Sequence, residues 1–292
     1  MNATPNCPVC GATSAPLFYA GEHRMFRCRE CFLAFVYPTP LEAYLADFYS
    51  RFHMVLEQGG GYELLEDRMS ADFPTKVETI QKNLASKTAK ILDVGCGKGY
   101  FVKACVDQGI NAEGIDLSDT AINYAKNILG VNARCGRIED TENQIGAYDG
   151  ITFWATIEHL PDPLKTLRAI NTALKPGGLL FLDTGIGHDW LDRLLPGVNQ
   201  WYDPPQHLFV FSEEAIRIAL TRTGFEVEKV DTCFERTPVR RVARIVRGAS
   251  AALGLRIITE LTRTGGGGPF RFTRFPLGNL ISVVARKPDL NT

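Results

Sequence analysis

Apolar and polar positions along this chain alternate in a regular way between residues 89 and 235. Ile91–Val94, Ala112–Asp116, Val131–Cys135, Tyr148–Trp154, Gly178–Asp183 and Phe225–Asp231 are runs of strand length. Between them, Phe101–Gln108, the residues from Ser118 to Gly130, those from Asp162 to Leu174 and those after Ser212 carry helical patterning. Ser118 and Ser212 are placed as N-caps, Glu213 and Glu214 suit the dipole of the helix they open, and Gly130 and Gly224 act as stops. Asn279–Arg286 adds a last strand, read as the antiparallel partner of Phe225–Asp231. Strand–helix alternation of this kind predicts an α/β fold, a seven-stranded doubly wound, Rossmann-like sheet.

Before residue 89 the pattern is shorter. Leu17–Tyr19 and Met25–Arg27 predict a small hairpin, and Leu41–Tyr49 and Val77–Ser86 have helical patterning interrupted by Gly59–Gly61. Pro38-Thr39-Pro40 marks a boundary. The expected organisation is a first unit over 1–40, a helical linker or lid over 41–88, and a large domain over 89–292. Phe48, Tyr49, Phe52 and Tyr62 either line such a lid or pack beneath it.

Cysteine spacing gives the first unit its chemistry. Cys7-x2-Cys10 and Cys28-x2-Cys31 enclose 17 residues, the spacing of a four-thiolate zinc ribbon. Four cysteines leave no open coordination position, so the expected Zn2+ is structural. A unit this small has too little core to fold alone, and metal would supply much of its stability. The first ten residues are polar, without the apolar core of a signal peptide, and no run of about twenty apolar residues is present. A reducing cytoplasmic setting is therefore expected. Cys96, Cys105, Cys135 and Cys233 have no paired spacing.

Asp93-Val94-Gly95-Cys96-Gly97-Lys98-Gly99 follows a strand and opens a helix. Alternate glycines let backbone approach a ligand, and the helix N-terminus directs free N–H groups into the gap. Asp116 ends the next strand 21 positions after Gly95, where a doubly wound sheet places a carboxylate for ribose hydroxyls. These residues resemble the S-adenosylmethionine (SAM) site of class I methyltransferases. Gly114-Ile115-Asp116 is similar to their second motif, and Leu174-Lys175-Pro176-Gly177-Gly178 to the turn before their fifth strand. The resemblance runs over roughly residues 75 to 235. It implies that Asp93, Gly95, Cys96, Gly97 and Gly99 cradle the cofactor, that Asp116 and Leu117 meet its ribose side, that Ile138 and Glu139 meet adenine, and that Trp154 closes the site. Many relatives carry an acid where this chain has Arg137, and Glu139 is expected to take over that contact.

Two further stretches bear on catalysis. Glu158-His159-Leu160-Pro161-Asp162-Pro163 resembles a stretch of small-molecule methyltransferases such as the quinone O-methyltransferases. His159 is read as a base, because histidine titrates near neutral pH, or, with Glu158, as a tie between this loop and its neighbours. Small-RNA ribose methyltransferases bind a metal with a similar stretch and an additional Glu; Ala155 stands there, which argues against a catalytic metal. His207, in Asp203-Pro204-Pro205-Gln206-His207-Leu208-Phe209-Val210-Phe211-Ser212, is read as a base, as an acceptor-orienting group, or as a cap on the next helix. Asp189, Trp190, Trp201 and Tyr202 lie upstream, and the aromatics suit a ring or a sugar face.

Charge adds one more feature. The formal net charge is −1, which excludes a uniformly basic nucleic-acid binder. Residues 236–276 nevertheless hold nine arginines and one acid, Glu260, a local net of +8 that leaves −9 elsewhere. Val242, Ile245, Val246, Ala249, Leu253 and Ile257 keep helical spacing there, and Gly265–Gly268 reads as a hinge. Such a basic amphipathic insertion suits the anionic inner face of a membrane, a phosphorylated acceptor, or a solvated helix face. The order of zinc ribbon and methyltransferase resembles bacterial enzymes that modify sugars, envelope glycans or specialised metabolites. The expected function is SAM-dependent methylation of a small or carrier-linked acceptor, chiefly at oxygen. An rRNA or tRNA base methyltransferase and a non-catalytic SAM-binding module are the alternatives, with nucleic acid the less favoured partner.

Overall fold

A computed structural model describes residues 4–45, 48, 72–84, 86, 88–140, 144–188, 192, 199, 201–233 and 280–289. Tyr49, Phe52, Tyr62, Asp189, Trp190 and the arginine-rich stretch 236–276 fall outside the described residues.

The N-terminal hairpin forms as the pattern predicts. Strand β1 (Ser14–Ala20) pairs antiparallel with β2 (His23–Cys28), and β2 pairs with β3 (Ala34–Val36). Helix α1 (Phe73–Asn83) begins four residues before the helical stretch read from sequence, with a proline in its first turn, where a missing N–H costs nothing.

The large sheet is built from β4 (Lys90–Val94), β5 (Asn111–Asp116), β6 (Ala133–Cys135), β7 (Tyr148–Trp154), β8 (Leu174–Gly185), β10 (Glu226–Cys233) and β11 (Leu280–Arg286). Its order is β10-β11-β8-β7-β4-β5-β6. Strands β4 to β8 pair in parallel, while β11 runs antiparallel between β8 and β10. The seven-stranded expectation therefore holds, including the antiparallel closing pair. Helices α2 (Tyr100–Asp107), α3 (Asp119–Asn127), α4 (Pro163–Ala173) and α5 (Glu213–Arg222) complete the alternation. The side chains of Ser118 and Ser212 accept N–H bonds from Ala121 and Ala215, confirming both caps. Parallel strands buried on both faces need apolar side chains on both, and Ile91, Leu92, Ile151, Phe153, Leu180, Phe181 and Leu182 are all fully buried.

A two-residue strand, β9 (Phe209–Val210), leaves the large domain and pairs with β3. It completes a four-stranded sheet of order β1-β2-β3-β9. The apolar residues of the cysteine unit, among them Val9, Met25, Leu33 and Phe35, pack in one continuous cluster with Leu208, Phe211, Ile216 and Leu220. Residues 4–36 are thus anchored on the face of the domain that carries His207.

Candidate functional site

The parallel strands end on one edge, and the predicted site residues gather there. The β4–α2 turn holds Gly95, Gly97 and Gly99 at φ of 76°, 51° and 82°. The glycines serve different purposes. A Cβ on Gly95 would lie 2.5 Å from Thr156 Oγ1, so that glycine admits the β7 loop. A Cβ on Gly97 would meet nothing within 4 Å, so its bare face opens onto the gap. Asp116 is held across this gap: its Oδ2 accepts from the Gly97 N–H at 2.9 Å and its Oδ1 from the Ser118 N–H at 2.8 Å. Each oxygen keeps a lone pair for an incoming hydroxyl. Leu117, beside it, is 60% exposed, an apolar surface with no cover among the described residues. These features, an open glycine face, a pre-aimed carboxylate and an uncovered leucine, fit a nucleoside bearing a ribose.

Asp93 and Cys96 lie beneath the turn. Asp93 is buried and accepts from Thr152 Oγ1 at 2.6 Å, and burial pushes its pKa up to about 7. Cys96 is buried too, and desolvation raises its thiol far above the usual range. Ile138 is buried in the short 3-10 turn Ile138–Asp140, and the neighbouring Glu139 carboxylate accepts from Thr166 Oγ1 of α4.

Trp154 lies at the end of β7, its ring edge-on to Phe101 and its Nε1 buried without a partner among the described residues. Lys76 of α1 reaches over this ring at 4.4 Å and pairs with Asp183 Oδ2 at 2.7 Å. Asp183 Oδ1 accepts from the Ala155 N–H, in a loop where Ala155 takes a φ of 44°. Sequence reasoning passed over both residues. Lys76 falls one position before the helical pattern of Val77–Ser86, and Asp183 reads in the sequence only as the end of a strand.

The two histidines come together. Their ring centroids are 5.0 Å apart. His159 Nδ1 lies 2.6 Å from the Gln206 carbonyl and His207 Nδ1 lies 3.0 Å from the Trp201 carbonyl. A carbonyl only accepts, so each Nδ1 carries a proton. Glu158 is 1% exposed, with no hydrogen-bond partner for either carboxylate oxygen among the described residues, and burial pushes its pKa up. One ligand atom from each of Glu158, His159 and His207 falls within 4.8 Å of the others. Three donors therefore converge even though Ala155 contributes none. Trp201 lies against the end of β8, where a Cβ on Gly185 would sit 1.9 Å from the indole.

The four N-terminal cysteines converge as their spacing requires. Cys7 and Cys31 sulfurs are 3.5 Å apart, those of Cys10 and Cys28 are 3.4 Å apart, and all four fall within 4.8 Å. A zinc tetrahedron with ~2.3 Å Zn–S bonds has edges of ~3.8 Å, so the donor set fits that ion. The Cys10 and Glu30 N–H groups point at Cys7 and Cys28 sulfur, as donors that stabilise thiolates do. The hydrogen bond from Cys31 holds the Cys7 thiol below the usual thiol range.

A family model described as a methyltransferase domain matches residues 44–230. The chain is 34% identical over 181 residues to the ubiquinone biosynthesis O-methyltransferase of Coxiella burnetii, across 56% of this chain and 77% of that one. It is 32% identical over 148 residues to the protein of the same name from Xanthomonas campestris, across 44% of this chain, and spans 62% of that relative's length. Among solved structures, a SAM-dependent methyltransferase from Archaeoglobus fulgidus superposes with a TM-score of 0.51 at 18% identity, over 77% of this chain and 99% of that one, a likeness of fold.

Proposed function

This chain belongs to the methyltransferase domain family, and on that premise we propose that it methylates a hydroxyl oxygen of a small or carrier-linked acceptor, such as a sugar, a glycan or a specialised metabolite. The observation that carries this reading is the His159–His207 pair, with ring centroids 5.0 Å apart and each Nδ1 proton bonded to a carbonyl. The names of the two O-methyltransferase relatives support oxygen as the atom modified. SAM, when bound, supplies an electrophilic methyl group on a sulfonium. Gly95, Gly97, Asp116 and Leu117 would hold its nucleoside, with Ile138 and Glu139 on the adenine side and Trp154 toward the methyl end.

The chain's own contribution is alignment and proton removal. His207 Nε2 takes the acceptor's proton, and the Trp201 carbonyl stabilises the imidazolium through Nδ1–H. Buried Glu158 lies beside the pair, and His159 fixes the loop from the other side. The Zn2+ of the ribbon is structural in this reading. The arginine-rich stretch brings the protein to an anionic surface that carries the acceptor.

The converging Glu158, His159 and His207 donors favour a second reading. Imidazoles that donate Nδ1–H to a carbonyl are oriented as metal ligands are. There Glu158, His159 and His207 would be the residues that hold a divalent cation, and the cation would supply Lewis-acid chemistry toward the acceptor hydroxyl.

The test is transfer of labelled methyl from SAM to lipid, small-metabolite and RNA fractions. Label in the metabolite or lipid fraction is expected. Label confined to RNA would select the base-methyltransferase alternative, and SAM binding without transfer would select the non-catalytic module. Loss of transfer in EDTA, restored by Mg2+ or Mn2+ but not by Zn2+, would select the cation.

A further inference from the structure

The cysteine ribbon grips the His207 loop at both ends. At one end, Arg27 of β2 donates to Tyr202 Oη at 2.6 Å and to Asp192 Oδ2 at 2.5 Å. Tyr202 Oη in turn donates to Asp192 Oδ2 at 3.0 Å. Tyr202 and Asp192 are 5% and 2% exposed, so this is an ion pair and a phenol taken out of water together. Phe18 of β1 packs edge-on against the Tyr202 ring, with centroids 5.2 Å apart. At the other end, the Val36 N–H donates to the Leu208 carbonyl at 2.9 Å, and β3 pairs with β9 immediately after it. Ser212 Oγ donates to the Cys31 carbonyl, and Arg222 donates to the Val9 carbonyl, so the knuckles of both cysteine pairs are also tied to α5.

His207 sits between these grips. Its Nδ1–H is held by the carbonyl of Trp201, the residue joined to Tyr202. The Leu208 N–H beside it donates to the Glu158 carbonyl at 2.8 Å. Arg27 itself precedes the zinc-ligand position Cys28, so the cysteine cluster sets where its side chain starts.

We propose that the ribbon is the scaffold of the acceptor side, and that Arg27 is a positioning residue that acts through Tyr202 to hold the Trp201 carbonyl on His207 Nδ1. This rests on the reading of His207 as an acceptor-side base, but the link from Arg27 to His207 is a structural statement in its own right. The geometry separates two halves of the molecule. The glycine turn and Asp116 belong to the large sheet and share no hydrogen bond with the ribbon, among those the described residues show. Loss of Arg27 therefore disturbs His207 and spares cofactor binding. A carboxylate and a phenol buried without their cation are costly, so the Tyr202 segment must move to reach water.

The test is NMR of the protein labelled with 15N at its five histidines, with His207 assigned by substitution. It compares wild type with Arg27→Ala, Arg27→Lys and Tyr202→Phe, with calorimetric binding of S-adenosylhomocysteine in parallel. Wild-type His207 is expected as the Nδ1–H tautomer. Arg27→Ala is expected to convert it to the Nε2–H form that free imidazole prefers, while affinity for S-adenosylhomocysteine stays within twofold of wild type. Arg27→Lys restores the tautomer in part, since it returns one donor. Tyr202→Phe keeps the ring on Phe18, so the fold survives even if Arg27→Ala does not, and it is expected to shift His207 in the same direction. A wild-type His207 spectrum in both Arg27→Ala and Tyr202→Phe would overturn the proposal. A shifted tautomer with undiminished methyl transfer would uphold it and overturn instead the role of His207 as base.

Discussion

Replacing single glycines of the β4–α2 turn separates packing from ligand approach. Both Gly95→Ala and Gly97→Ala force an L side chain to a positive φ, of 76° and 51°, at a cost of about 1–2 kcal/mol. Gly95→Ala adds a clash, because its Cβ would stand 2.5 Å from Thr156 Oγ1 and 2.7 Å from Thr156 Cγ2. Thr156 is itself fixed by a bond to the Trp154 carbonyl, so overpacking adds about 1–3 kcal/mol. Gly97→Ala meets no protein atom within 4 Å, so its stability loss stays at the backbone cost, a fall in Tm of about 2–8 °C. Its new methyl group projects into open space on the turn, where the cofactor is expected to approach. Thermal melts with and without S-adenosylhomocysteine read both effects, since a ligand raises stability by RT ln(1 + [L]/Kd). Gly97→Ala should melt only about 2–8 °C below wild type without ligand and lose most of the ligand-induced rise. Gly95→Ala should melt well below it. A full ligand-induced rise in Gly97→Ala would refute the assignment of that face to the cofactor.

Asp116→Ala removes the acceptor of the Gly97 and Ser118 N–H groups as well as the ribose contact, and should weaken S-adenosylhomocysteine binding by about 1–3 kcal/mol; unchanged affinity by calorimetry counts against the site. Elemental analysis should find about one zinc per chain, by the four-thiolate stoichiometry, and Cys28→Ser should lose it and speed amide exchange over β1–β3; retained metal would contradict the ribbon. Vesicle flotation should show binding to anionic but not neutral vesicles, lost when Arg240, Arg241, Arg244 and Arg247 are replaced by Gln, each basic residue near the surface contributing about 1 kcal/mol; tight binding to structured RNA with no flotation would contradict the membrane role.

Elements held by local chemistry were legible from the sequence. The strand–turn–helix at Asp93–Gly99, the caps Ser118 and Ser212 and the two cysteine knuckles each declare themselves within about ten residues. Contacts joining distant segments were not. The strand β9 is two residues long, too short to show a period of two, and its partner β3 lies some 170 positions earlier in the chain. Arg27 reads as one more polar position of a hairpin until Asp192 and Tyr202 are brought beside it. Glu158, His159 and His207 were visible as chemistry, but the histidine tautomers were not, because they depend on the carbonyls of Gln206 and Trp201, which only the fold brings beside His159 and His207. The cysteine unit was read from its spacing as dependent on its metal. Its apolar residues also share a core with α5, which spacing alone does not reveal.

The most direct measurement is single-turnover methyl transfer from labelled SAM to the active acceptor fraction, in wild type, His159→Ala and His207→Ala, with S-adenosylhomocysteine affinity measured on the same preparations. The histidine pair as proton acceptor requires a fall of about 10²–10⁴ in rate for at least one variant, chiefly His207→Ala, with cofactor affinity unchanged. Near-normal rates in both variants, or a loss of rate that merely follows a loss of cofactor affinity, would contradict it.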